Sequence, residues 1–518
     1  MRMSPSRFSQ RRKAVVIGAG IGGLAAALTL AVSEFEVVVL ERHPSPGGKL
    51  RAISTLAGPA DAGPTVLTLR GVFDALFASA GARLDEHLTL VPQEILARHF
   101  WPGGGVLDLF CDRDRSRRAI AGFAGRRDAD AFDRFCADTA RLFEAFDAPV
   151  MRAPVPSRSG VVGKVIAQPG LVPMIAPHRT LHHALARRFR DPRLVQLFGR
   201  YATYVGGSPY HSPAILSLIW QAEARGVWSI AGGMHRLARS LADLAEAKGV
   251  GFLYGTDVER IETAQGRATG IVLRSGQRIG ADAVVFNGDP RALALGGVGP
   301  ELSDAAKSSL KSERSLSARV WSFAARVRGP DLAHHNVFFT NDPQAEFDAL
   351  QAGRLPRDPT LYVCAQDRGA PALSAPDGPE RFEIIANAAP LTRGAPPVRE
   401  FETCQTVTFG TLAKFGLNFD RLPASQALTT PTGFEALFPG SAGSLYGQSP
   451  HDMMATFRRP TARTGIAGLY LAGGGVHPGP GVPMAALSGR HAAEAIMQDL
   501  ALTWTCRPMA TPGGTSTA

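Results

Sequence analysis

Ala14-Val15-Val16-Ile17-Gly18-Ala19-Gly20-Ile21-Gly22-Gly23-Leu24-Ala25-Ala26-Ala27-Leu28 is the stretch that decides the fold. Ala14 to Ile17 reads as a short buried strand. The helix begins at Gly23 and runs to about Ser33, and Glu36-Val37-Val38-Val39-Leu40 is a second, β-branched strand. Strand, glycine turn, helix and strand make a βαβ unit around G-x-G-x-x-G. Gly18 allows the tight turn, Gly20 lets a pyrophosphate approach the backbone, and Gly23 lets the helix pack closely on the strand. The helix then points its positive end at the phosphates. Glu41 closes the second strand, where a carboxylate accepts hydrogen bonds from ribose hydroxyls. These residues define a dinucleotide site without separating NAD from FAD.

The next residues separate them. Glu41-Arg42-His43-Pro44-Ser45-Pro46-Gly47-Gly48-Lys49 places a glycine pair and a cation soon after the ribose-binding acid. In FAD enzymes with two dinucleotide motifs this loop contacts the diphosphate and ribityl chain. Asp61-Ala62-Gly63-Pro64-Thr65 resembles the loop that such flavoproteins lay beside the isoalloxazine. At the far end, Gly468-Leu469-Tyr470-Leu471-Ala472-Gly473-Gly474-Gly475-Val476-His477-Pro478-Gly479-Pro480-Gly481-Val482-Pro483 is a buried strand opening into a glycine run before a helix. So many glycines suit a backbone that approaches something flat and large. His477 is an acid or base candidate, although a histidine in such a loop more often orients the loop by hydrogen bonding.

The composition suits a folded enzyme. The 518 residues are 45% hydrophobic and 19% charged, enough for two or three domains. The net charge of +11 is partly clustered, at Arg11-Arg12-Lys13, at Arg113, Arg115, Arg117 and Arg118, and at Arg187, Arg188, Arg190 and Arg193. Solvated surface comes first as the reading of these clusters and a membrane surface second. Nucleic acid ranks last, because no aromatic-and-basic RNA-binding signature or zinc-finger spacing is present. Cys111, Cys136, Cys364, Cys404 and Cys506 are scattered with no C-x-x-C pair. That favours buried thiols in a reducing compartment over disulfides or a metal site. Ala14 to Val32 is apolar enough to imitate a membrane segment, but its four glycines mark the nucleotide motif, and no other stretch is long enough to span a bilayer.

Along the chain, residues 85–225 read as mainly helical, with three- and four-residue apolar spacing in Asp128 to Phe146 and Pro192 to Phe198. Pro154 to Pro177 is apolar, interrupted by Pro and Gly, and flanked by basic residues; it suits membrane contact, a mobile lid or a core helix equally. A β-hairpin reading fits Ala268 to Gln277, strands fit Leu253 to Ile261 and Ala283 to Phe286, and a helix fits Met484 to Gln498. The expected division is a discontinuous FAD-binding domain (11–84, 226–294 and 456–502), a helical substrate- or membrane-facing region (85–225), a substrate domain (295–455) and flexible tails (1–10 and 503–518).

The C-terminal run resembles the signature of the bacterial phytoene desaturase-type carotenoid desaturases, a strand and Gly-rich turn followed by His-Pro-Gly-x-Gly. It departs from that pattern at Val476 and Met484. The likeness extends over nearly the whole chain, through Val205-Gly206-Gly207-Ser208-Pro209, Gly226-Val227-Trp228 and Gly443-Ser444-Leu445-Tyr446-Gly447. Asp61 to Thr68, Ala97-Arg98-His99-Phe100-Trp101-Pro102 and Gly199 to Gly207 are most similar to the hydroxyneurosporene (methoxyneurosporene) desaturase branch. The resemblance implies an α/β fold. Its core would be a discontinuous Rossmann-like FAD-binding domain of the two-dinucleotide-motif class, with a mixed α+β substrate domain and a helical membrane-facing insertion.

It further implies cofactor contacts at Gly18, Gly20, Gly22, Gly23, Glu41, Arg42, Gly48, Lys49, Gly63, Pro64 and Thr65. Val258 would lie near the adenine, and Gly474, Gly475 and Val482 near the flavin. Acid and base candidates of the family align near Ser157 to Gln168, where this chain has Gly163 and Lys164 and no carboxylate, so no catalytic residue carries over. The implied reaction is FAD-dependent introduction of a C3–C4 double bond into an acyclic 1-hydroxy or 1-methoxy carotenoid. Oxygen or a quinone would be the final electron acceptor, and the enzyme would sit on the cytoplasmic side of the photosynthetic inner membrane. Phytoene desaturation, amine oxidation and carotenoid isomerisation stay open beside it.

Overall fold

The computed structural model describes residues 11–369, 378–394 and 399–505. The N-terminal tail 1–10, residues 506–518 of the C-terminal tail, and Cys506 lie outside them.

Strand β1 (Lys13–Ile17) and helix α1 (Ile21–Val32) flank the glycine turn, and β2 (Glu36–Glu41) follows. Three more strands complete a five-stranded parallel sheet: β3 (Gly251–Tyr254), β4 (Ala283–Phe286) and β5 (Leu469–Leu471), in the order β5-β4-β1-β2-β3. Val15 pairs with Val38 on one side and Val284 on the other, and Val285 pairs with Tyr470. Strands buried on both faces are continuous apolar runs for that reason. Helix α1 is apolar nearly all round because it lies between the sheet, α2 (His235–Ala247) and the long C-terminal helix α3 (Val482–Thr505). A Cβ on Gly489 of α3 would stand 2.0 Å from the carbonyl oxygen of Gly22, so these helices cross backbone to backbone.

A second, seven-stranded sheet stands opposite. Its order is Leu428–Thr429, Ser317–Ala325, Glu380–Ala388, Leu361–Ala365, His335–Phe338, Ile95–Phe100 and Val106–Phe110. All neighbours are antiparallel except His335–Phe338 against Ile95–Phe100. One face packs on the helix Glu400–Lys414 through Trp321, Phe338, Phe382 and their neighbours. Residues 85–225 are mainly helical as expected, but the region opens with three strands that were not expected, Leu90–Pro92, Ile95–Phe100 and Val106–Phe110. Leu90–Pro92 and Ile95–Phe100 have partners more than a hundred residues away, and Val106–Phe110 is a short edge strand paired only with Ile95–Phe100, so little periodicity is left for a sequence reading to find. Arg126–Phe146 and Pro192–Gly199 are the helices expected. The single strand expected over Leu253 to Ile261 is two, β3 and Val258–Ala264, broken at Gly255. Val258 therefore begins a strand and does not end one. The C-terminal helix reaches Thr505, into the expected tail.

Candidate functional site

The glycine turn, the Gly47–Lys49 loop, the Asp61–Thr65 loop and the C-terminal glycine run meet at the carboxyl end of the parallel sheet. Gly18 accepts its place through a hydrogen bond from its own N–H to the Leu40 carbonyl, 2.7 Å. A Cβ on Gly23 would fall 2.1 Å from the Gly18 carbonyl oxygen, and one on Gly22 would fall 2.7 Å from the Gly473 nitrogen. The two glycine segments are therefore in contact, and neither tolerates a side chain there. Gly47 donates to the Ala19 carbonyl at 2.9 Å, which lays Gly48 against Gly20. Gly63 lies so close to Lys49 that a Cβ would stand 1.9 Å from its carbonyl oxygen. Gly474 carries no such neighbour on its open side, while Gly475 packs on Pro290.

The electrostatics suit an anionic, ribose-bearing ligand. Helix α1 has no acid in its first turn and no side-chain cap, so its first N–H groups are free for a diphosphate. The Glu41 carboxylate accepts from the Ala19 N–H at 2.8 Å and the His43 N–H at 2.9 Å, and each oxygen keeps a lone pair for a ribose hydroxyl. Lys49 is buried, which pulls its ammonium down to about 8, and it donates to the Leu445 carbonyl. Arg42 pairs with Asp257 at 3.5 Å near the surface, beside Val258 at the outer end of the cradle. Val482 opens α3 with its side chain in the core, so only its backbone is available to a ligand.

Several residues at this site escaped the sequence reading. Asn287, just after β4, donates to the Gly18 carbonyl at 3.0 Å, and its buried amide oxygen has no partner in the chain. Asp289 and Arg314 form a buried ion pair behind it. Arg459 donates to the carbonyls of Tyr446 and Gly474, clasping two loops. An isolated polar residue ending an apolar strand was the one available signal for Asn287. Its neighbour in space is known only once β4 is placed beside β1.

Asp61 accepts from the Met234 and His235 N–H groups at the start of α2, which fixes the loop that carries Gly63, Pro64 and Thr65. That loop covers the open face of the seven-stranded sheet. Thr65 Oγ1 lies 2.6 Å from Tyr362 Oη, and Tyr362 Oη lies 2.7 Å from His335 Nδ1. His334, His335 and Cys364 bring three ligand-type atoms together there. The His334 Nδ1–H donates to the Arg368 carbonyl at 2.6 Å, so its Nε2 accepts from the Cys364 thiol at 3.6 Å. Burial pushes that thiol well above its ordinary range, so the group is a neutral hydrogen-bonding cluster. Burial likewise raises the Glu383 carboxyl well above its ordinary range and lowers the His335 imidazole well below its own. His477 donates through Nε2 to the Ala153 carbonyl at 2.9 Å, and His491 to Arg152 at 3.1 Å, so both tie the segment that precedes Pro154 to Pro177. Cys136, Cys364 and Cys404 are buried thiols, whereas Cys111 is exposed, contrary to the expectation for scattered cysteines.

A glycine cradle against a helix N-terminus, a ribose-binding acid and a second strand-and-glycine segment together form the site of an FAD-dependent oxidoreductase. The flavin containing amine oxidoreductase family matches residues 21–318, more than half of the chain. The hydroxyneurosporene desaturase of Cereibacter sphaeroides is 55% identical over 489 residues, covering 94% of this chain and 98% of that protein. The 1-hydroxycarotenoid 3,4-desaturase of a Flavobacterium species is 30% identical over 497 residues, covering 94% of this chain and 99% of that one. An oxidoreductase structure from Methanosarcina mazei has a TM-score of 0.59 at 19% identity, covering 94% of this chain and 100% of that one, which is a likeness of fold. The chain belongs to the flavin containing amine oxidoreductase family and, within it, to the carotenoid desaturases.

Proposed function

We propose that the enzyme oxidises the C3–C4 bond of an acyclic 1-hydroxy or 1-methoxy carotenoid, such as 1-hydroxyneurosporene, to a double bond. The full-length 55% identity to a hydroxyneurosporene desaturase carries this reading. Bound FAD supplies the acceptor for the two electrons and the hydrogen that leave the substrate. The chain's own part is to hold and to exclude water. Gly18, Gly20, Gly22, Gly23, Glu41, Arg42, Gly48, Lys49, Gly63, Pro64, Thr65, Val258, Gly474, Gly475 and Val482 are the proposed cofactor contacts. The unit formed by 11–84, 226–294 and 456–502 is the proposed cofactor domain, with the substrate held against 85–225 and 295–455. Tyr362, His335, Cys364 and Glu383 are the polar groups proposed to face the substrate, each shifted by burial toward its neutral form, and the Arg200 charge beside Tyr362 is offset by the buried Glu223, so little is asked of them by a polyene that spreads the developing positive charge over many carbons. A proton leaving the carotenoid needs no strong base under these conditions, because the delocalised cation is itself acidic.

The substrate enters from a membrane surface, and electrons finally pass to oxygen or a quinone. At about 0.8 kcal/mol for each buried CH₂ group, a long polyene does not cross water readily. Val155, Val162, Ile166 and Val172 are 58, 56, 75 and 45% exposed on one segment, beside Arg152, Arg158 and Lys164, which supports a peripheral seat on an anionic, cytoplasm-facing leaflet. Among the described residues no helix is long and apolar enough to cross a membrane. Anaerobic addition of 1-hydroxyneurosporene to the holoenzyme should bleach the flavin and yield a product whose absorption has moved to longer wavelength by one conjugated double bond. A flavin that stays oxidised would overturn the proposal.

A further inference from the structure

We infer that Thr65, Tyr362 and His335 form the seat for the oxygen on C1 of the substrate and so select the bond that is oxidised. This rests on the reaction proposed above and adds the residues that recognise its substrate. Three segments distant in sequence supply the line: the loop after Pro64, the strand Leu361–Ala365 and the strand His335–Phe338. The contacts of 2.6 Å and 2.7 Å leave His335 Nε2 buried and without a partner in the chain. An unmade hydrogen bond at a buried nitrogen is costly, whereas a ligand that supplies the partner recovers that cost.

The line suits an oxygen of either kind. When Thr65 donates to Tyr362 and Tyr362 donates to His335 Nδ1, the imidazole carries its proton on Nε2 as a free donor. When the sense reverses, His335 Nδ1–H donates to Tyr362, Tyr362 to Thr65, and the Thr65 O–H becomes the free donor while Nε2 accepts. One end always offers a donor and the other an acceptor. The oxygen meets one end at a time: the donating end serves the lone pair of an alcohol and of a methyl ether alike, and the accepting end serves an alcohol only. A fixed carboxylate would reject the ether.

Position gives the second argument. Only C2 separates C1 from the C3–C4 bond, so the oxygen must rest beside the reacting edge of the cofactor. Thr65 belongs to the loop whose Gly63 lies against Lys49, which in turn follows Gly48 at the glycine turn. The line thus runs from the cofactor side of the site into the substrate side. Arg200 stands 5.7 Å from the Tyr362 ring, donates to Tyr204 at 3.0 Å and lies in the field of the buried Glu223, so the polar groups continue past Tyr362 as a compensated network.

The test uses purified holoenzyme, with bound FAD measured by absorbance, and anaerobic bleaching by 1-hydroxyneurosporene, its 1-methoxy ether and neurosporene itself. Tyr362→Phe and His335→Phe should lower kcat/KM for the two oxygenated substrates by about 10–100-fold while neurosporene changes little. Thr65→Ser, which keeps the hydroxyl, should keep the preference. His335→Phe, at the strand end of the line and away from the proposed cofactor contacts, decides the matter if Tyr362→Phe fails to retain FAD. A preference unchanged in flavin-loaded variants would overturn the seat alone. A wild-type enzyme that bleaches with none of the oxygenated carotenoids would overturn the proposed reaction and the seat with it.

Discussion

The seven-stranded sheet has two unlike faces. Phe100, Phe338, Leu361, Val363, Phe382 and Ile384 point one way and pack on the helix Glu400–Lys414, with Phe100 and Phe338 stacked at 4.5 Å. His335, Tyr362, Cys364 and Glu383 point the other way, toward the Asp61–Thr65 loop. Alternation along each strand puts both sets within one stretch of chain, so residue 363 belongs to packing and residue 364 to the site. Arg319, paired with Glu400 at 3.3 Å, is a charged residue on the packing side. A fold that needed only stability would fill both faces with hydrocarbon, because buried polar groups cost free energy unless fully bonded. Glu383 is buried with only the Gly63 N–H approaching its carboxyl, and His335 Nε2 is buried without a partner. The polar face is therefore kept at a cost to stability, and that cost is intelligible only if a ligand or a reaction uses it.

Breaking each face separately should give the largest effects and different ones. In Gly63→Ala the new methyl meets the Lys49 carbonyl, a backbone atom that cannot step aside. A strain of about 3 kcal/mol corresponds to roughly a hundredfold loss of FAD affinity, read by flavin titration of the apoprotein. Phe338→Ala on the packing face should cost about 3–5 kcal/mol of stability by denaturant unfolding, yet leave the flavin content of the folded fraction unchanged. Equal losses of flavin in both would erase the distinction between the faces.

The same distinction explains what could be read from the sequence. Gly18 to Gly23, Glu41 and the Gly47–Lys49 loop form one contiguous motif whose parts fold onto one another, so local order disclosed both the βαβ unit and its place in the site. The C-terminal glycine run was legible for the same reason, since a strand leading into glycines has few other uses. His335, Tyr362 and Cys364 carry no such signature. They come together only through the register of His335–Phe338 against Leu361–Ala365, and Thr65 joins them from nearly three hundred residues upstream. Ile95–Phe100 was missed because its neighbours in the sheet, apart from Val106–Phe110, are supplied by distant chain. Asn287 escaped because its meaning depends on β4 lying next to β1.

Protonation should separate the faces with a smaller effect. Burial holds His335 well below 6.5, helped by His334 and Arg200, so the folded protein keeps it neutral while the unfolded chain takes up a proton. Its contribution to stability is complete above about pH 6.5 and is lost as the pH falls from there toward the folded value. His491 and His99, drawn down to about 4 and about 3, share this acid limb. Glu383 runs the opposite way: burial, with Asp61 adding to it and Arg51 opposing it, raises its carboxyl well above 4.5. Its contribution is present below that ordinary value and is lost as the pH rises through the folded one. Glu383→Gln should flatten the alkaline limb of melting temperature against pH by on the order of 2–4 °C, and His335→Phe should shrink the acid limb. Phe338→Leu should lower the whole curve without changing its shape.

The smallest effect is the sharpest, because it compares adjacent residues. Val363→Thr keeps the volume but places a hydroxyl among Phe338, Phe382 and Ile384, where its neighbours are hydrocarbon. That should cost about 1–3 kcal/mol. Cys364→Ser makes a similar polar change one residue along, but its hydroxyl inherits the bond to His334 Nε2 that the thiol now makes. Because the acceptor already waits for a donor, the change should stay within about 0.5 kcal/mol of neutral. Urea unfolding of both variants measures the difference. A serine at 364 as damaging as a threonine at 363 would mean that the cluster on the open face is packed rather than hydrogen-bonded, and the reading of that face as a polar, ligand-facing surface would fall with it.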